Sequence, residues 1–445
     1  MQFIQKVNFK FEEVLFIILP FAIITGPLIS EIVINLISIK FIYESYKTKN
    51  FKIFFNKIIY LLFIFYFVLV FSSFIAFYYK DFPIDNFVKN FFYFRFILFG
   101  ISIYWLIKNN HKILKIFFYS LLFAYIALCI GGMYEYFFKQ MCGVYDELGF
   151  WVIKNKYFFC NENYLIGNSV RGDRLSSFFG DEMILGSYLS RLLPLLIYLI
   201  FVQNNIINKN FISLSVILVA TLMCIISGER ISVFYSIIIF LLFAVFIDKK
   251  IFYKIIILLS FIILFLSTFL INPDIKKRII TQTFTQITQG THAKHAQPGL
   301  YFFSPQHSAH AYVAIKLFSD NKWLGVGPKN FRIACPKKYS SIQFGCTTHP
   351  HNTYLQLLSE TGIVGFSIPF IILLLIIKYY IKNFLLILKF KNKDISLKKI
   401  ILLSSFLITL FPFIPSGNFF TNHLNIIFYL PLGFYIYEFN KFSKK

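Results

Sequence analysis

Polar positions interrupt this chain rarely, and they come in short clusters. Between the clusters run stretches dominated by Ile, Leu, Phe, Val and Tyr, near 14–29, 31–46, 58–78, 91–108, 113–135, 182–202, 210–227, 230–247, 251–271, 362–381, 399–414 and 424–438. A helix needs about 20 apolar residues to cross the hydrocarbon core of a bilayer. The pattern therefore predicts an all-α polytopic membrane protein with about twelve transmembrane helices. An even number also suits a chain with Lys near both ends. The stretch from Val14 is followed by no small-residue cleavage site and reads as a retained helix, not a signal peptide.

Composition agrees. The 445 residues are 58% hydrophobic and 21% aromatic, with 14% charged and a mean hydropathy of +0.68. A soluble globule has about a quarter of its residues charged, and no single core could bury this much apolar surface. The 61 Phe and 28 Tyr suit lipid-facing surfaces and interfacial belts. A net charge of +24 would suit nucleic acid, but the lysines sit in short clusters between the apolar runs. They read as orientation signals, and no nucleic-acid partner is expected.

Lys and Arg in short loops are held on the cytoplasmic side. With the N-terminus inside, that side receives Lys47/Lys49/Lys52/Lys57, Lys108/Lys112/Lys115, Lys249/Lys250, Lys389/Lys391/Lys393 and the C-terminal Lys441, Lys444 and Lys445. The alternate loops, such as 79–90 and 415–423, are poor in charge. Residues 1–271 then hold helices 1–9 with an external loop at about 136–181. Residues 272–361 form a large external loop between helices 9 and 10, and residues 362–445 hold helices 10–12. The stretch 272–352 carries ten Lys and Arg against Asp274 and Asp320. Anionic headgroups nearby or an anionic substrate would account for that charge.

Four Cys fall outside in this topology, Cys142 and Cys160 in one loop and Cys335 and Cys346 in the other. Two pairs in one oxidising compartment, each closing a short loop, read as two disulfides, with four unpaired thiols as the alternative.

Charged and polar residues gather at the predicted outer boundary. One segment reads Arg171-Gly-Asp-Arg174-Leu-Ser-Ser-Phe-Phe-Gly-Asp181-Glu182, with Arg191 deeper in the helix that follows. Another reads Ser227-Gly-Glu229-Arg230. The large loop contains Trp323-Leu-Gly325-Val-Gly327-Pro-Lys-Asn330-Phe-Arg332 and ends in His349-Pro-His351-Asn352. Guanidinium groups suit a pyrophosphate because they are planar, always charged and able to bind two oxygens at once. A histidine beside an Asn can take or steer a proton near neutral pH. A boundary Arg can also simply reach for headgroups, whereas Arg95 and Arg191 lie deep enough to need partners or a water-lined cavity. Gly325-Val-Gly327 lacks the setting of a dinucleotide fingerprint and reads as a turn. Asn352 or Thr353 would cap a short helix that Gly362 ends. His292/His295 and His307/His310 have a spacing that could hold a metal on one helix, but Gln297-Pro-Gly299 and Ser304-Pro305 interrupt the segment and no Cys or acid accompanies them. No metal and no cofactor is expected.

Taken together, the Arg174 segment, Ser227-Gly-Glu-Arg230, Leu324-Gly-Val-Gly-Pro-Lys-Asn-Phe331 and His349-Pro-His-Asn352 followed by Tyr-Leu-Gln-Leu-Leu-Ser-Glu-Thr-Gly resemble the O-antigen ligase/polymerase family. The likeness covers about residues 165–380 by motif and the whole chain by span pattern. It implies a bacterial inner-membrane enzyme whose large loop and active site face the periplasm. Such an enzyme takes a glycan from an undecaprenyl pyrophosphate carrier and passes it to an acceptor without nucleotide or metal. The family's arginines and loop histidine map onto Arg174, Arg230 and His351, with Arg171 close to the first. Catalysis is assigned to His351 and Arg230, and substrate binding to Arg174, Arg191, Asn352 and Glu182. Asp181 or Glu182 is the reserve base. Ligases of the family join the glycan to lipid A–core, whereas polymerases join repeat units. The polymerases' Arg-x10-Gly motif is missing, which favours ligation. A lipid or polysaccharide transporter is the alternative of another class, but the inverted repeats such proteins often carry are not visible.

Overall fold

The computed structural model describes residues 9–49, 54, 56–145, 151–153, 174–288, 301–389 and 395–442. Within them the regular structure is helical apart from a two-stranded antiparallel ladder, β1 (Gly143–Tyr145) against β2 (Trp151–Ile153). The helices are α1 (Phe11–Thr25), α2 (Pro27–Thr48), α3 (Lys57–Lys80), α4 (Ile84–Phe91), α5 (Phe94–Asn109), α6 (Lys112–Cys142), α7 (Leu185–Val202), α8 (Lys209–Ile226) and α9 (Arg230–Phe246). They continue as α10 (Ile251–Ile271), α11 (Pro273–Lys276), α12 (Gln282–Thr288), α13 (Pro305–Asp320), α14 (Phe331–Tyr339), α15 (Thr353–Leu388), α16 (Leu397–Thr409) and α17 (Asn422–Phe442).

Each predicted apolar run overlaps a helix, but the first, 14–29, crosses the break between α1 and α2, and that at 399–414 runs past the end of α16 at Thr409. By length and composition, seven helical stretches among the described residues could cross a membrane: α3, α4 with α5, α6, α7, α8, α10 and α15; α9 is a shorter apolar helix. Local chemistry sets the breaks. Gly26, at φ 116°, and Pro27, at the first position of α2, separate α1 from α2. The Asn56 side chain accepts from Ile58 N at 2.9 Å and starts α3.

The structure departs from the sequence-based boundaries where charge is buried. α6 runs on to Cys142 rather than ending near 135, because Glu135 and Lys139, one turn apart, form an ion pair at 2.9 Å with both side chains inside the fold. Residues 182–184 are not yet helix. α7 begins at Leu185, and its first free N–H groups, of Gly186 and Ser187, donate to the Glu229 carboxylate at 2.6 and 3.1 Å. The segment 79–90 holds the short helix α4, and the large loop carries α11 to α14 and the first turns of α15.

α7 packs on α6, α8, α9 and α16 and is the most enclosed candidate span, with 83% of its apolar window buried; α10 lies at the edge, with 17%. The large loop has a small core of its own, in which Val313, Ala314 and Leu317 of α13 meet Phe331, Ala334 and Cys335 of α14, Val326, and Ala76 of α3.

Two glycines lock this loop to α15. Gly362 sits at φ 63°, and a Cβ there would come within 2.2 Å of the Trp323 backbone; Gly325, at φ 65°, faces the Glu360–Thr361 backbone at 2.4 Å. Val326 N donates to Ser359 O at 3.0 Å and Ile363 N to Lys322 O at 2.8 Å. The Trp323–Gly327 turn and the kink in α15 therefore interlock backbone to backbone, an approach only residues without a Cβ permit.

Candidate active site

A cavity of about 2290 Å³ opens between the bundle and the large loop. Its lining includes Arg174, Glu182, Arg191, Arg230 and His351 of the residues singled out from sequence. Asn352 is not in the lining. Its Oδ1 accepts from Tyr354 N and Leu355 N, both at 3.0 Å, capping α15, while its Nδ2 donates to Pro412 O and Ile414 O at 2.7 and 3.1 Å. The amide holds a turn and has little capacity left for substrate. Asp181 is exposed and outside the lining, whereas Glu182 is within it. Arg171 lies outside the described residues, as do Cys160, and with it the Cys142–Cys160 pairing, and His292 and His295.

One wall is rich in arginine. Buried Glu229 organises it, accepting from Gly186 N, Ser187 N and, at 3.0 Å, Ser232 Oγ. Burial pushes this carboxyl up to about 7, against the pull of Arg174 and of those donors. Arg230 follows it into the cavity and donates to Gln286 Oε1 and Gln282 Oε1 at 2.6 and 3.0 Å. Arg278 reaches Gly228 O through Nε at 3.0 Å. The Arg174 segment is pinned to α6, since Ser176 N and Ser177 N donate to Glu135 at 2.9 and 2.7 Å and Lys139 donates to Arg174 O at 3.2 Å. Arg191 is buried and donates to Thr409 Oγ1, Tyr235 Oη and Ser187 Oγ, with its guanidinium 4.8 Å from the Tyr235 ring centre. Those partners are neutral, so its charge is left for the cavity. Arg95, the other deep arginine, is matched by Glu31 at 2.9 Å.

The facing wall carries four imidazoles. His351 lies 4.1 Å from His349, 5.4 Å from His310 and 5.6 Å from His307, ring centre to ring centre. The Nδ1 atoms of three of these are engaged: His307 with Ser304 Oγ at 2.7 Å, His310 with Gly345 O at 3.3 Å, and His349 with Thr348 Oγ1 at 2.9 Å. Among the described residues the His351 ring has no hydrogen-bond partner, which leaves it open to a proton. Burial, with repulsion from His310, pushes His351 down to about 4; burial likewise takes His307 to about 4 and His349 to about 3. At neutral pH the cluster is uncharged.

The backbone at His351 is in the left-handed region, at φ 53°. A non-glycine residue there costs on the order of 1–2 kcal/mol and persists only where its surroundings enforce it. Here Ser416 N donates to His351 O at 2.8 Å, beside the two Asn352 bonds to Pro412 and Ile414. Cys335 and Cys346 are joined in a disulfide, with Cα atoms 5.5 Å apart.

Sequence reasoning named Glu229 and Arg332 within its candidate segments without giving them a role, did not single out Arg278 or Lys329 for the site, and treated Ser304-Pro305 as an interruption; all four charged residues line the cavity. Ser304 is in fact the N-cap of α13 and Pro305 its first residue, a helix-start signal that places His307 and His310 on one face. Among the described residues no three His, Cys, Asp or Glu side chains are arranged to hold a metal ion.

No curated protein matches the chain. The O-antigen ligase family model matches residues 214–370, a stretch that takes in Ser227–Arg230, α13, the Trp323–Phe331 turn and His349–Asn352. Over that stretch, about a third of the chain, the protein is similar to the O-antigen ligase family.

Proposed function

We propose that this protein is a glycosyltransferase of the bacterial inner membrane that moves a glycan from undecaprenyl pyrophosphate to lipid A–core, with its cavity open to the periplasm. The observation that carries the reading is that Arg174, Arg191, Arg230 and Arg278 line the same cavity as His351, whose ring has no hydrogen-bond partner among the described residues. Apolar Phe265, Phe269, Ile279 and Ile280 line it as well and suit a polyprenyl chain beside the phosphates.

The chemistry balances within that site. The acceptor hydroxyl attacks the anomeric carbon with inversion and gives its proton to His351, while the bond from that carbon to the carrier pyrophosphate oxygen breaks. The departing pyrophosphate keeps the bonding electrons, and guanidinium groups already in place stabilise its charge without reorganising. Glu182 is the reserve base. The Lys-rich cytoplasmic loops support a twelve-span topology with both ends inside. Reporter fusions after Lys115 and Lys250 should then read cytoplasm, and one at Gln297 the periplasm; a cytoplasmic reading at Gln297 would overturn the site's orientation.

The direct test gives purified full-length protein a labelled undecaprenyl-pyrophosphate glycan with either lipid A–core or a second lipid-linked repeat. A new glycosidic bond to lipid A–core with release of carrier pyrophosphate is expected. Bond formation to the second repeat alone would make it a polymerase, and relocation of unchanged donor a transporter.

A further inference from the structure

A second set of cations faces the cavity beyond the histidines. Lys329 lines it from the Gly327–Phe331 turn, Arg332 from the first turn of α14, and Lys89 from α4. The electrostatic neighbours separate this set from the arginine wall. Arg230 feels Arg278 and Arg174; Lys329 feels Arg95, Lys89, Arg332 and the carboxylate of Glu360. The histidines bridge the two sets, since His307 feels Arg230 and His351, whereas His349 feels His351 and Arg332.

The second set is built, not incidental. Lys329 is held at φ 67°, a strained conformation for a residue with a Cβ. Its turn is fixed from three sides. Asn90 Nδ2 donates to Pro328 O at 3.1 Å, Asn86 Nδ2 to Asn330 Oδ1 at 2.6 Å, and Asn330 Nδ2 to Val326 O at 2.9 Å. Asn86 and Asn90 bracket Lys89 on one face of α4, so the bonds that anchor the turn also bring Lys89 beside it. Glu360, the one acid in this group, is fully buried and spends its oxygens on Phe331 N at 2.9 Å, on the Lys329 N–H and on Gln356 Nε2 at 3.0 Å. Among the described residues no hydrogen bond or ion pair reaches the side-chain nitrogens of Lys89, Lys329 or Arg332. Burial and the cationic neighbours of half-buried Lys329 outweigh the pull of Glu360 and push its ammonium down to about 8.

A cation left unpaired against a cavity wall, in a strained turn, calls for an anion from outside the chain. One pyrophosphate held at Arg230 would not also reach across four imidazoles. Resting on the glycosyltransferase reading above, we propose that Lys89, Lys329 and Arg332 form an anion subsite for the acceptor, holding a phosphate or carboxylate on the acceptor glycan while its hydroxyl faces His351. The base then lies between two anion sites, the donor's on one side and the acceptor's on the other. Binding charge on the acceptor makes the site selective, because a neutral glycan would leave half-buried Lys329 without an anion.

The test uses the full-length protein in zwitterionic nanodiscs with one lipid-linked donor and three synthetic glycolipid acceptors, alike except that one sugar position bears a hydroxyl, a phosphate or a carboxylate. Wild type should show a KM about tenfold or more lower for the charged acceptors than for the neutral one. Lys329→Gly and Arg332→Gln should abolish that preference while leaving donor KM unchanged. Glycine fits φ 67°, so Lys329→Gly removes the charge while relieving the backbone, and its effect cannot be laid to misfolding; Lys329→Arg should keep the preference. Equal loss with all three acceptors, or a raised donor KM, would overturn the proposal. So would an effect that follows added anionic lipid rather than acceptor charge, which would make these cations headgroup contacts. Absence of transfer by wild type with every acceptor would sink the glycosyltransferase reading instead, so the two failures are distinguishable.

Discussion

Arg230 reaches the cavity from the first turn of α9, where two glutamines of α12 hold its guanidinium. His351 reaches it from a turn fixed by backbone bonds to 412–416 and by the Asn352 cap. Arg230 leans on α12, which follows the least enclosed candidate span, α10, whereas the His351 turn is clamped between the large loop, α15 and the α16–α17 connection. The amide oxygens on Arg230 can be exchanged for phosphate oxygens at little cost, because both are acceptors for the same fork of N–H groups. The His351 turn has no such slack. On the glycosyltransferase reading proposed above, the wall that would admit a lipid-linked donor is soft, and the histidine that would take a hydroxyl proton is fixed.

The largest effect should come from the fixed wall. His351→Ala is expected to lower single-turnover transfer by about 10²–10⁴, the usual range for a positioned base, with donor binding nearly intact. His349→Ala should lose much less, since that ring packs on His351 with Nδ1 engaged by Thr348. Equal losses would leave the base role shared between the two, and near-normal transfer by His351→Ala would pass it to Glu182.

The soft wall should come next. Arg230→Lys keeps the charge but loses the planar fork, and removing one preorganised donor to developing charge costs about 10²-fold in rate. Softness predicts that the loss appears mainly in turnover, with α12 able to resettle around the shorter ammonium. A variant that fails to fold would instead make Arg230 part of the scaffold.

Seven of the expected spans were legible because lipid-facing stretches need only be apolar, and α3, α8 and α10 begin and end within a residue or two of the expected ends. Boundaries failed where Gly26 breaks an apolar run, where α16 stops at Thr409, and where charge goes inside. Nothing local distinguishes Glu135 and Lys139 from a polar loop until their ion pair is seen. The Asn352 cap and the Gly362 kink were readable because each rests on the chemistry of one residue type. The approach of His307 to His351 was not, since it depends on how α13 packs on α15. Lys329 looked like any loop lysine, because its exceptional features are a φ angle and a missing partner.

The walls also differ in their response to acid. His307, His349 and His351 fall from the ordinary value near 6.5 to about 4 or 3 on burial, so the folded loop binds fewer protons than the unfolded one. Stability from these groups is therefore fully present above about 6.5 and lost as pH falls toward 4. Thermal unfolding between pH 7 and 4 should show that decline, and replacing the histidines with Gln should flatten it. In catalysis, kcat/KM should fall only as pH approaches about 4, where free His351 gains its proton. A bound pyrophosphate favours the imidazolium, so the acid limb of kcat should lie at higher pH. Coincident limbs would mean that the donor's charge does not reach His351.

The smallest effect expected is that of the disulfide, and it tests how the fixed wall is fixed. Cys335 lies on α14 within the loop's small core, and the bridge ties it to Cys346, next to Gly345, whose carbonyl accepts from His310 Nδ1. His310 in turn lies 5.4 Å from His351. The bridge therefore reaches His351 only through a second imidazole, whereas Ser416 bonds His351 itself and Pro412 and Ile414 hold the adjoining Asn352. Replacing both Cys by Ala keeps Cys335's place apolar and avoids burying an unpaired hydroxyl, so it removes the tether with little other change. Turnover should drop severalfold, by less than about tenfold, with little loss of protein in the membrane, since a disulfide acts largely by restraining the unfolded chain. A dithiothreitol-treated wild type should behave the same way, and thiol labelling of both residues without reductant would refute the bridge. A loss as large as that of His351→Ala would show that α14 and the bridge hold the base, and that the 412–416 connection contributes little. The contrast between a clamped histidine and a yielding arginine would then rest on one covalent bond.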